Sequence, residues 1–516
     1  MHDASTQATQ ENLQVTRSLA ASIELLDRRH ILLRHDEVPT ASADLTIRYV
    51  TDDSRAARPG TLFVCKGRAF KRSYLLSAIE AGAVAYVSEQ DYDVDIPCLL
   101  VSDIRVALGV LADAAYDHPS GKLSVCAITG TKGKTTCVYY LKSLLDTRER
   151  MHGGQRCGLF SSVAFDDGVD AGTSKLTTPE SFQLERQLAH AVQAGLPYVA
   201  MEASSQALKY DRTLCVDFAV GAFTNIGEDH ISPIEHPTFE DYFSSKLKIF
   251  SQSRIAVVNL DMDHLDRVLA AASACERTLT YALTNPQADV YTTRLVHGER
   301  GIVATVRTPR FTRDVLIATP ARFNVSNALC AIAVAEGLGI EEEAIAHGFE
   351  DVRVPGRMEL YPSADGKIIG VVDFAHNGMS LETMLKDLRE SYPDRELAVV
   401  FGATGGKGVD RRDTMGTAAG AHADRIVITE DDPGPEDPAD ICATIAQRVR
   451  EQGNENYQIV LDRAEAIRTC VRETTRPAVV IVTGKGTETR MLRAHGPEPC
   501  EADGAILKRA LEEFDS

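Results

Sequence analysis

The sequence lacks the features by which several protein classes are recognised. No two of its eleven cysteines, scattered from Cys65 to Cys500, form a CxxC pair. A disulfide framework or a structural zinc site requires closer, paired spacing, so we expect reduced thiols. Residues 1–14 are polar and lack the apolar core of a signal peptide, and no run of about 18 apolar residues occurs anywhere. These absences predict a cytoplasmic protein without membrane insertion.

Positive charge is also in short supply. The chain has 55 Lys and Arg residues against 74 Asp and Glu residues, which gives a formal net charge of −19. Such a surface repels nucleic-acid phosphates and anionic lipids, so we expect no nucleic-acid partner. A local basic pocket can still bind a small anionic substrate. The hydrophobic share of 44% and charged share of 25% are typical of a globular protein and exclude a disordered chain.

Short apolar runs that end in Gly, Asp, Asn or Glu recur along the chain, and segments with helical spacing separate them. Runs of this kind are typical of buried parallel strands, and their alternation with helices indicates doubly wound α/β domains. The predicted strands lie at 123–129, 198–203, 255–260, 368–375, 397–403, 425–430 and 478–484, and the predicted helices include 137–147 and 239–250.

The length of 516 residues exceeds what one core supports and suggests about three domains at roughly 150 residues each. Two segments have the composition of a boundary. AYDHPSGK (115–122) is rich in turn residues, and VRVPGRME (352–359) carries a Pro-Gly pair before a new series of strands. We therefore predict domains at 1–120, 121–352 and 353–516.

A glycine-rich turn, GTKGKTT, joins the strand at 123–129 to the helix at 137–147. Backbone N–H groups of such a turn bind phosphate oxygens, because glycine lacks the Cβ that would block their approach. Lys134 would offset phosphate charge and the Thr135 hydroxyl would bind Mg²⁺. The usual GxxxxGK[ST] spacing would need glycine where the chain has Ile128, so the match is to a shorter variant. The residues of the turn are Gly130, Thr131, Lys132, Gly133, Lys134, Thr135 and Thr136.

Two residues that follow other predicted strands are candidates for the same site. Glu202 ends the run YVAMEA, where a carboxylate can hold the magnesium of a nucleotide, although a helix cap or an ion pair explains it equally well. His230 follows the run FTNIGED, and a lone histidine is more often structural. Their occurrence beside a phosphate-binding turn favours a shared site.

Eight motifs in register resemble those of the Mur ligases, and most closely the MurE group, which adds the third residue of the peptidoglycan stem peptide. The resemblance extends from about Asp52 to Asp503 and begins with DSR and GTLFVCKG (53–67). The eight motifs in register follow this segment and are GTKGKTT, TTPES (177–181), MEASSQAL (201–208), FTNIGEDH (223–230), RFNVSNAL (322–329), VPGRME (354–359), VDFAHN (372–377) and GKGTE (484–488).

This resemblance implies an ATP-dependent amide-forming ligase with three domains. They are a small α/β UDP-binding domain, a central P-loop doubly wound ATPase domain and a C-terminal Rossmann-like α/β domain. The implied substrates are UDP-MurNAc-L-Ala-D-Glu, ATP and a free diamino acid. ATP phosphorylates the substrate carboxylate to an acyl phosphate, which an amine then attacks. We expect a monomer.

The resemblance also assigns residues to the ATP site. Glu202, His230 and Lys246, with Thr135, are expected to position Mg²⁺, and Lys246 matches the lysine that the family carbamylates. From the sequence alone, Lys246 would be a solvated helix lysine. Asn327, Arg357 and Asp373 match positions near the adenine, the phosphates and the ribose. Without the family they would be a turn or cap residue, a surface arginine and a strand-end acid.

Two further sets of residues are expected to bind the UDP-linked dipeptide and the incoming amino acid. Hydroxyl groups and an arginine, which suit diphosphate and carboxylate oxygens, are expected to bind the UDP-linked dipeptide. These residues are Ser54, Thr177, Thr178, Ser204 and Arg212. The residues expected to bind the incoming amino acid are Lys407, Asp431, Asp432, Gly484 and Glu488.

The amino-acid positions depart from the family pattern in an informative way. Relatives that add meso-diaminopimelate carry DNPR, whose arginine binds the distal carboxylate, whereas this chain has Asp431-Asp432-Pro433-Gly434. Lys407 replaces a second family arginine. An acidic pair without arginine favours a side chain that ends in an ammonium group, so we predict L-lysine. The alternatives are ornithine or meso-diaminopimelate, a related ligase with another acceptor, and a nucleotide-binding paralogue without turnover.

Overall fold

The computed structural model describes residues 13–34, 44–67, 70–228, 231–232, 235–298, 300–406 and 408–516. The chain forms two compact units. Unit 1 comprises the residues up to Val290 together with Cys330–Ile345, and unit 2 comprises Tyr291–Leu329 and Ala346–Ser516. Two predicted site residues, His230 and Lys407, lie outside the described residues. The domain boundaries at 120 and 352 stay predictions.

The N-terminal part of unit 1 contains a five-stranded sheet in the order β2-β7-β6-β5-β4. Strands β4 to β7 are parallel, and β2 is an antiparallel edge strand. The strands are β1 (Arg17–Ser18), β2 (Leu32–Arg34), β3 (Thr46–Ile47), β4 (Tyr49–Thr51), β5 (Thr61–Val64), β6 (Ala83–Ser88) and β7 (Cys98–Val101), and the helices are α1 (Leu19–Arg28), α2 (Arg72–Glu80) and α3 (Ile104–Ala115).

An eight-stranded sheet with the order β11-β10-β9-β12-β8-β13-β14-β15 follows in unit 1. Its six strands from β9 to β15 are parallel, and the hairpin β10-β11 extends one edge in antiparallel fashion. The strands are β8 (Ser124–Thr129), β9 (Gly158–Phe160), β10 (Ala164–Asp166), β11 (Ala171–Thr173), β12 (Tyr198–Glu202), β13 (Phe218–Phe223), β14 (Ser253–Asn259) and β15 (Arg277–Tyr281). The helices are α4 (Lys134–His152), α5 (Ser181–Gln193), α6 (Ser205–Lys209), α7 (Phe239–Leu247) and α8 (Leu265–Ala272).

Unit 2 contains a three-stranded antiparallel sheet, a six-stranded sheet in the order β19-β20-β24-β21-β22-β23 and a small hairpin. In the six-stranded sheet only β19 is antiparallel. The strands are β16 (Tyr291–Gly298), β17 (Gly301–Arg307), β18 (Thr312–Ile317), β19 (Glu359–Pro362), β20 (Ile368–Asp373), β21 (Glu396–Phe401), β22 (Arg425–Ile428), β23 (Tyr457–Ile459), β24 (Ala478–Thr483), β25 (Arg490–Arg493) and β26 (Gly496–Pro499). Helices α9 (Arg322–Leu338) and α10 (Glu342–His347) contain residues of both units, and those of unit 2 are α11 (Gly378–Ser391), α12 (Asp410–His422), α13 (Pro438–Glu451), α14 (Arg463–Arg472) and α15 (Asp503–Phe514).

The predicted α/β class is confirmed, because the short apolar runs form the parallel strands of two sheets. Strands β8, β13, β21 and β24 are buried along nearly their whole length, as expected for strands with helices on both faces. The segment predicted as one helix at 239–250 is α-helical to Leu247 and continues as a 3-10 turn, Lys248–Gln252. All eleven cysteines are free thiols. No helix in the described ranges has the length and apolar composition to cross a membrane.

A buried ion pair connects helices α14 and α15 of unit 2. The Arg463 guanidinium donates to both carboxylate oxygens of Asp503, at 2.7 and 2.8 Å, and also to the carbonyl of Thr483 at 2.9 Å. Asp503 in turn accepts from the backbone N–H of Gly486 at 2.9 Å. The pair therefore holds the chain segment that follows strand β24.

Asp503→Asn is expected to lower the free energy of unfolding by about 3–5 kcal/mol, because the buried Arg463 charge loses its partner. Urea unfolding followed by circular dichroism measures the change. Glu501→Gln is a matched control, since Glu501 pairs with Arg509 on the surface, and it should leave the urea midpoint nearly unaltered. Equal midpoints for the two variants would contradict a stabilising role for the pair.

Candidate functional site

The glycine-rich turn that the sequence predicts to bind phosphate follows strand β8 and has a conformation that only glycine adopts easily. Gly130 has a φ of +149° and Gly133 a φ of +85°, and helix α4 begins at Lys134. A Cβ on Gly130 would lie 2.0 Å from the Thr224 hydroxyl oxygen. Thr224 follows strand β13, the neighbour of β8, so the strand arrangement itself confines the turn.

Residues of FTNIG brace this turn, a role that sequence reasoning missed. The backbone N–H of Lys132 donates to the side-chain oxygen of Asn225 at 2.8 Å, and the N–H of Thr131 donates to its carbonyl at 3.0 Å. The hydroxyl of Tyr242, on helix α7, donates to the Thr131 hydroxyl at 3.1 Å. The turn is thus hydrogen-bonded to two neighbouring segments, which keeps its shape fixed before any ligand binds.

Two lysine ammonium groups converge on one carbonyl of the turn. Lys134 Nζ donates to the carbonyls of Gly130 at 2.8 Å and Thr131 at 3.1 Å, and Lys246 Nζ donates to the same Gly130 carbonyl at 2.8 Å. Lys246 is 1% exposed and lies 4.6 Å from the centre of the Tyr242 ring. The interpretation of Lys246 as a solvated helix lysine is therefore wrong.

The structure also brings Glu202 to this turn. Its Oε1 accepts from the Thr135 hydroxyl at 2.9 Å, from the Ser162 N–H at 2.8 Å and from the Ser162 hydroxyl at 3.1 Å. Ser162 lies between strands β9 and β10 and had no signal in the sequence. The side chains of Thr135, Ser162 and Glu202 offer only oxygen atoms to a metal ion, which fits the ligand preference of Mg²⁺. Of the predicted metal ligands, Thr135, Glu202 and Lys246 lie around one turn.

A second residue that the sequence did not single out is His236, which is fully buried. Its Nδ1 lies 2.6 Å from an Asp241 carboxylate oxygen and its Nε2 lies 3.0 Å from the Ser205 hydroxyl. Burial lowers the pKa of His236, and the Asp241 carboxylate opposes that shift. The contact joins helix α6, which follows Ser204, to helix α7, which carries Lys246.

Three of the five residues predicted for the UDP-linked substrate lie together in unit 1. The Thr178 hydroxyl donates to the Glu202 carbonyl at 2.8 Å and accepts from the Ser204 N–H at 3.0 Å. Arg212 donates to the Thr178 carbonyl at 3.3 Å and is the one member of the set among the described residues that line an adjacent pocket of about 800 Å³. Thr177 is the chain neighbour of Thr178, and Ser54 begins a 3-10 turn, Ser54–Ala56.

The predicted adenosine-binding residues belong to unit 2. Asp373 accepts from the N–H groups of Met358 at 2.9 Å and Ala375 at 2.7 Å, and burial raises its pKa although Arg357 opposes the shift. The Arg357 guanidinium lies 5.1 Å from the centre of the Phe374 ring.

Asn327 is neither a turn residue nor a cap. It is buried within helix α9, where its amide donates to the Asn324 side-chain oxygen at 2.8 Å.

In unit 2, Asp432 and Glu488, which are predicted to bind the incoming amino acid, both contact a lysine that the sequence reasoning missed. Lys485 is almost completely buried, and its Nζ donates to Asp432 Oδ1 at 2.8 Å, to Glu488 Oε2 at 2.6 Å and to the Arg490 carbonyl at 2.6 Å. The Asp432 carboxylate therefore already has a cationic partner. This qualifies the sequence interpretation, in which both aspartates were available to a ligand.

Asp431 differs from its neighbour. Its side chain makes no hydrogen bond to any described residue, and it lies so close to Gly484 that a Cβ there would be 2.3 Å from its Oδ2. Burial raises the pKa of Asp431 to about 6, and the charges of Arg463 and Lys485 oppose the shift. A buried carboxylate without a hydrogen-bond donor is a favourable partner for a ligand cation.

Comparisons with known proteins agree with this arrangement. Residues 128–335 match the Mur ligase middle domain, and residues 356–486 match the Mur ligase, glutamate ligase domain. A UDP-N-acetylmuramoyl-L-alanyl-D-glutamate–L-lysine ligase of Streptococcus thermophilus is 37% identical over 446 residues, which are 86% of this chain and 89% of the relative. The protein of the same name from Enterococcus faecalis is 37% identical over 88% of this chain and 90% of its own length.

Solved structures show the same fold. A UDP-N-acetylmuramoyl-L-alanyl-D-glutamate–2,6-diaminopimelate ligase has a TM-score of 0.72 at 24% identity and covers 97% of this chain and 100% of its own. MurF from Acinetobacter baumannii has a TM-score of 0.61 at 19% identity, with 97% and 100% covered. At these identities the likeness concerns the fold alone.

Gly130→Ala is expected to weaken ATP binding by at least about tenfold, because the new Cβ must displace Thr224 and distort the phosphate-binding turn. Titration calorimetry with Mg²⁺ and ATP measures the affinity. Gly121→Ala is the control, since a Cβ at Gly121 meets open space. If both variants bind ATP as the wild type does, the turn does not hold the phosphates.

Proposed function

The chain belongs to the Mur ligase family, and on that premise we propose that it is an ATP-dependent ligase that joins L-lysine to the D-glutamate of UDP-MurNAc-L-Ala-D-Glu. The product is a tripeptide precursor of peptidoglycan. Two relatives at 37% identity over most of their length are named as ligases for L-lysine, which supports the choice of amino acid.

The observation that carries the proposal is the arrangement around the phosphate-binding turn. Gly130, Lys134 and Lys246 lie at one end of the turn, and Thr135 with Glu202 lies at the other. Thr178 links Glu202 to Ser204, so the residues expected to hold ATP phosphates adjoin those expected to hold the dipeptide. A carboxylate and a γ-phosphate can meet only where cations and N–H groups offset their repulsion, and this corner of unit 1 supplies both.

In the proposed reaction a carboxylate oxygen of the D-glutamate attacks the γ-phosphorus, and ADP leaves. The amine of lysine then attacks the acyl carbon, inorganic phosphate leaves and the nitrogen loses a proton. Lys134 offsets phosphate charge during the first step, and the N–H groups of the turn orient the phosphates. The Thr178 and Ser204 hydroxyls and Arg212 orient the dipeptide.

Thr135 and Glu202 would hold Mg²⁺, because the Thr135 hydroxyl oxygen and Glu202 Oε1 lie 2.9 Å apart and oxygen atoms are the ligands that this ion prefers. When bound, the ion neutralises phosphate charge. We include a carbamylated Lys246 in the proposal, since carbamylation would convert this buried ammonium into an oxygen ligand beside the same turn. His230 stays a predicted ligand.

The amino-acid site of the proposal rests on Asp431. Its carboxylate is buried and makes no hydrogen bond to a described residue, whereas Asp432 and Glu488 are paired with Lys485. Asp431 would therefore bind an ammonium group of lysine, with Gly484 leaving room for the approach. Gly434 stands where an arginine would hold the distal carboxylate of diaminopimelate. Lys407 stays a predicted contact, and ornithine or meso-diaminopimelate stays the alternative. Cytoplasmic location and a monomeric state are also part of the proposal.

Release of ADP from purified protein tests the function. With UDP-MurNAc-L-Ala-D-Glu and ATP present, L-lysine should give a higher kcat/KM than meso-diaminopimelate, because Gly434 offers no charge to a distal carboxylate. L-lysine should also exceed L-ornithine, in keeping with the relatives named as L-lysine ligases. Omission of either the nucleotide dipeptide or the amino acid should stop ADP release.

A preference for diaminopimelate would contradict the assignment of lysine. ADP release that continues without the dipeptide would instead contradict the ligase reaction. Mass spectrometry of the product distinguishes a tripeptide from simple ATP hydrolysis.

The KM for lysine is expected to rise about tenfold between pH 7.5 and pH 5, because protonation of Asp431 below its pKa of about 6 removes the charge that attracts the ammonium group. The raised pKa means that the folded state holds this proton more tightly than the unfolded state. The free energy of unfolding therefore falls progressively as the pH rises from about 4 to about 6. Steady-state kinetics across this range measures the change.

Asp431→Asn should abolish this pH dependence and raise the KM for lysine at every pH. The KM for ATP at the same pH values is the internal control. A KM for lysine that stays constant down to pH 5 would contradict the role of Asp431.

A further inference from the structure

In the pocket of about 800 Å³ in unit 1, one carboxylate bridges two of the three cationic side chains of the lining. Its lining includes Lys66, which follows strand β5, Glu180, which precedes helix α5, and Arg212, which follows helix α6. Glu180 Oε2 lies 2.6 Å from Lys66 Nζ, and Glu180 Oε1 lies 2.7 Å from an Arg212 nitrogen. Both oxygens of this carboxylate are therefore occupied by pocket cations.

Glu180 holds this position although its place in the chain suggests another role. It is the residue immediately before helix α5, yet its side chain makes no capping hydrogen bond. Serine, threonine, aspartate or asparagine is the usual residue there. The Glu180 side chain thus leaves the first N–H groups of α5 uncapped, and Ser181, the first residue of this helix, also lines the pocket.

The charges around the two cations are nearly balanced in the present state. Lys66 also lies 3.1 Å from an Asp52 carboxylate oxygen. With Glu180 in place, two cations face two carboxylates. Without Glu180 between them, Lys66 and Arg212 would have Asp52 as the one carboxylate paired with them among the described residues, and the two cations would form a site for an anion. The lining of the pocket also includes Arg105, Glu89 and Asp103.

The bridge is also accessible to a competing ligand. The exposed fraction of the side chain is 26% for Lys66 and 35% for Glu180, and an ion pair at this exposure contributes little to stability. The diphosphate of a UDP-linked ligand carries two negative charges against one on a carboxylate, and it offers more acceptor oxygens to arginine and lysine.

We propose that Glu180 occupies the anion position of this pocket in the unliganded protein, and that an anionic group of the UDP-linked dipeptide displaces it to bind Lys66 and Arg212. Lys66 is then a further substrate-binding residue, and Glu180 lowers the affinity that the two cations would otherwise give. This inference rests on the proposed function, which supplies the substrate class. The displaced Glu180 side chain turns to solvent, with no covalent change.

Steady-state kinetics of Glu180→Gln and Lys66→Met tests the proposal. Glu180→Gln keeps the side-chain size and removes the competing charge, so the KM for UDP-MurNAc-L-Ala-D-Glu should fall about two- to fivefold. Lys66→Met removes a cation, and the same KM should rise about tenfold or more. The effects should be confined to this KM, with the KM values for ATP and lysine within about twofold of the wild type.

Lys122→Met is the control, because Lys122 forms a comparable ion pair with Asp117 outside the pocket lining. It should leave the KM for the nucleotide dipeptide at the wild-type value. Thermal unfolding of each variant separates a binding effect from misfolding. A KM that is unaltered or higher in a folded Glu180→Gln variant would overturn the proposal.

Titration calorimetry gives a second readout that does not require turnover. UDP, UDP-MurNAc-L-Ala and UDP-MurNAc-L-Ala-D-Glu are titrated into the wild type and the Glu180→Gln variant. Tighter binding of all three by the variant assigns the displaced position to the diphosphate, and tighter binding of the last alone assigns it to the D-glutamate carboxylate.

These experiments distinguish a failure of the proposed ligase function from a failure of the proposed displacement of Glu180. Wild-type protein that binds these ligands without lysine-dependent ADP release contradicts the proposed function and leaves the calorimetric comparison valid. Turnover with identical affinities in the wild type and Glu180→Gln contradicts the displacement alone. A wild type that binds none of the three contradicts both.

Discussion

The arrangement of the candidate site in unit 1 depends on the carbonyl group of Gly130. Two ammonium groups, those of Lys134 and Lys246, donate to this one oxygen, and Thr224 lies where a side chain at Gly130 would be. A carbonyl oxygen has two lone pairs and can accept both donors, and a fixed backbone keeps it in position for them. Hydrogen bonds from the backbone N–H groups of Lys132 and Thr131 to Asn225 hold the backbone of this turn. The strand order brings these segments together, because β8 and β13 are neighbours and both end at the same edge of the sheet.

Local pairing of charge explains how an acidic protein can bind anionic substrates. The net charge of −19 is spread over the chain, whereas carboxylate or carbonyl oxygens hold the lysine and arginine side chains of the candidate sites in place. Lys66 and Arg212 share Glu180 in unit 1, and Lys485 joins Asp432 to Glu488 in unit 2. Such pairing keeps a flexible side chain in place before a ligand arrives, which reduces the entropy cost of binding. It also leaves Asp431 as a carboxylate without a hydrogen-bonded partner among the described residues.

The sequence predicted much of the fold and part of the site. The strands β8, β12, β14, β20, β21, β22 and β24 lie within or beside the predicted runs, because continuous apolar segments with short length have few alternatives to a buried parallel strand. The turn at Gly130 and the acid at Glu202 were predicted for the same reason, since each follows such a strand. Ser162, Asn225 and His236 were missed. Each is an ordinary polar residue whose importance depends on a partner far away in the chain, and spacing carries no signal for such a contact.

The amino-acid sequence was enough to predict the α/β class, the position of the glycine-rich turn and, through its motifs, the family to which the chain belongs. Those properties follow from local composition and from short segments whose order is preserved along the chain. The burial and the partners of each charged side chain became known from the three-dimensional structure. It buries Lys246 against Tyr242, pairs Asp432 with Lys485 and places Glu180 between two cations, whereas Asp431 has no hydrogen bond to any residue that the structure describes. The energy of a charge depends on its burial and on its neighbours in space, and neither is a property of sequence position.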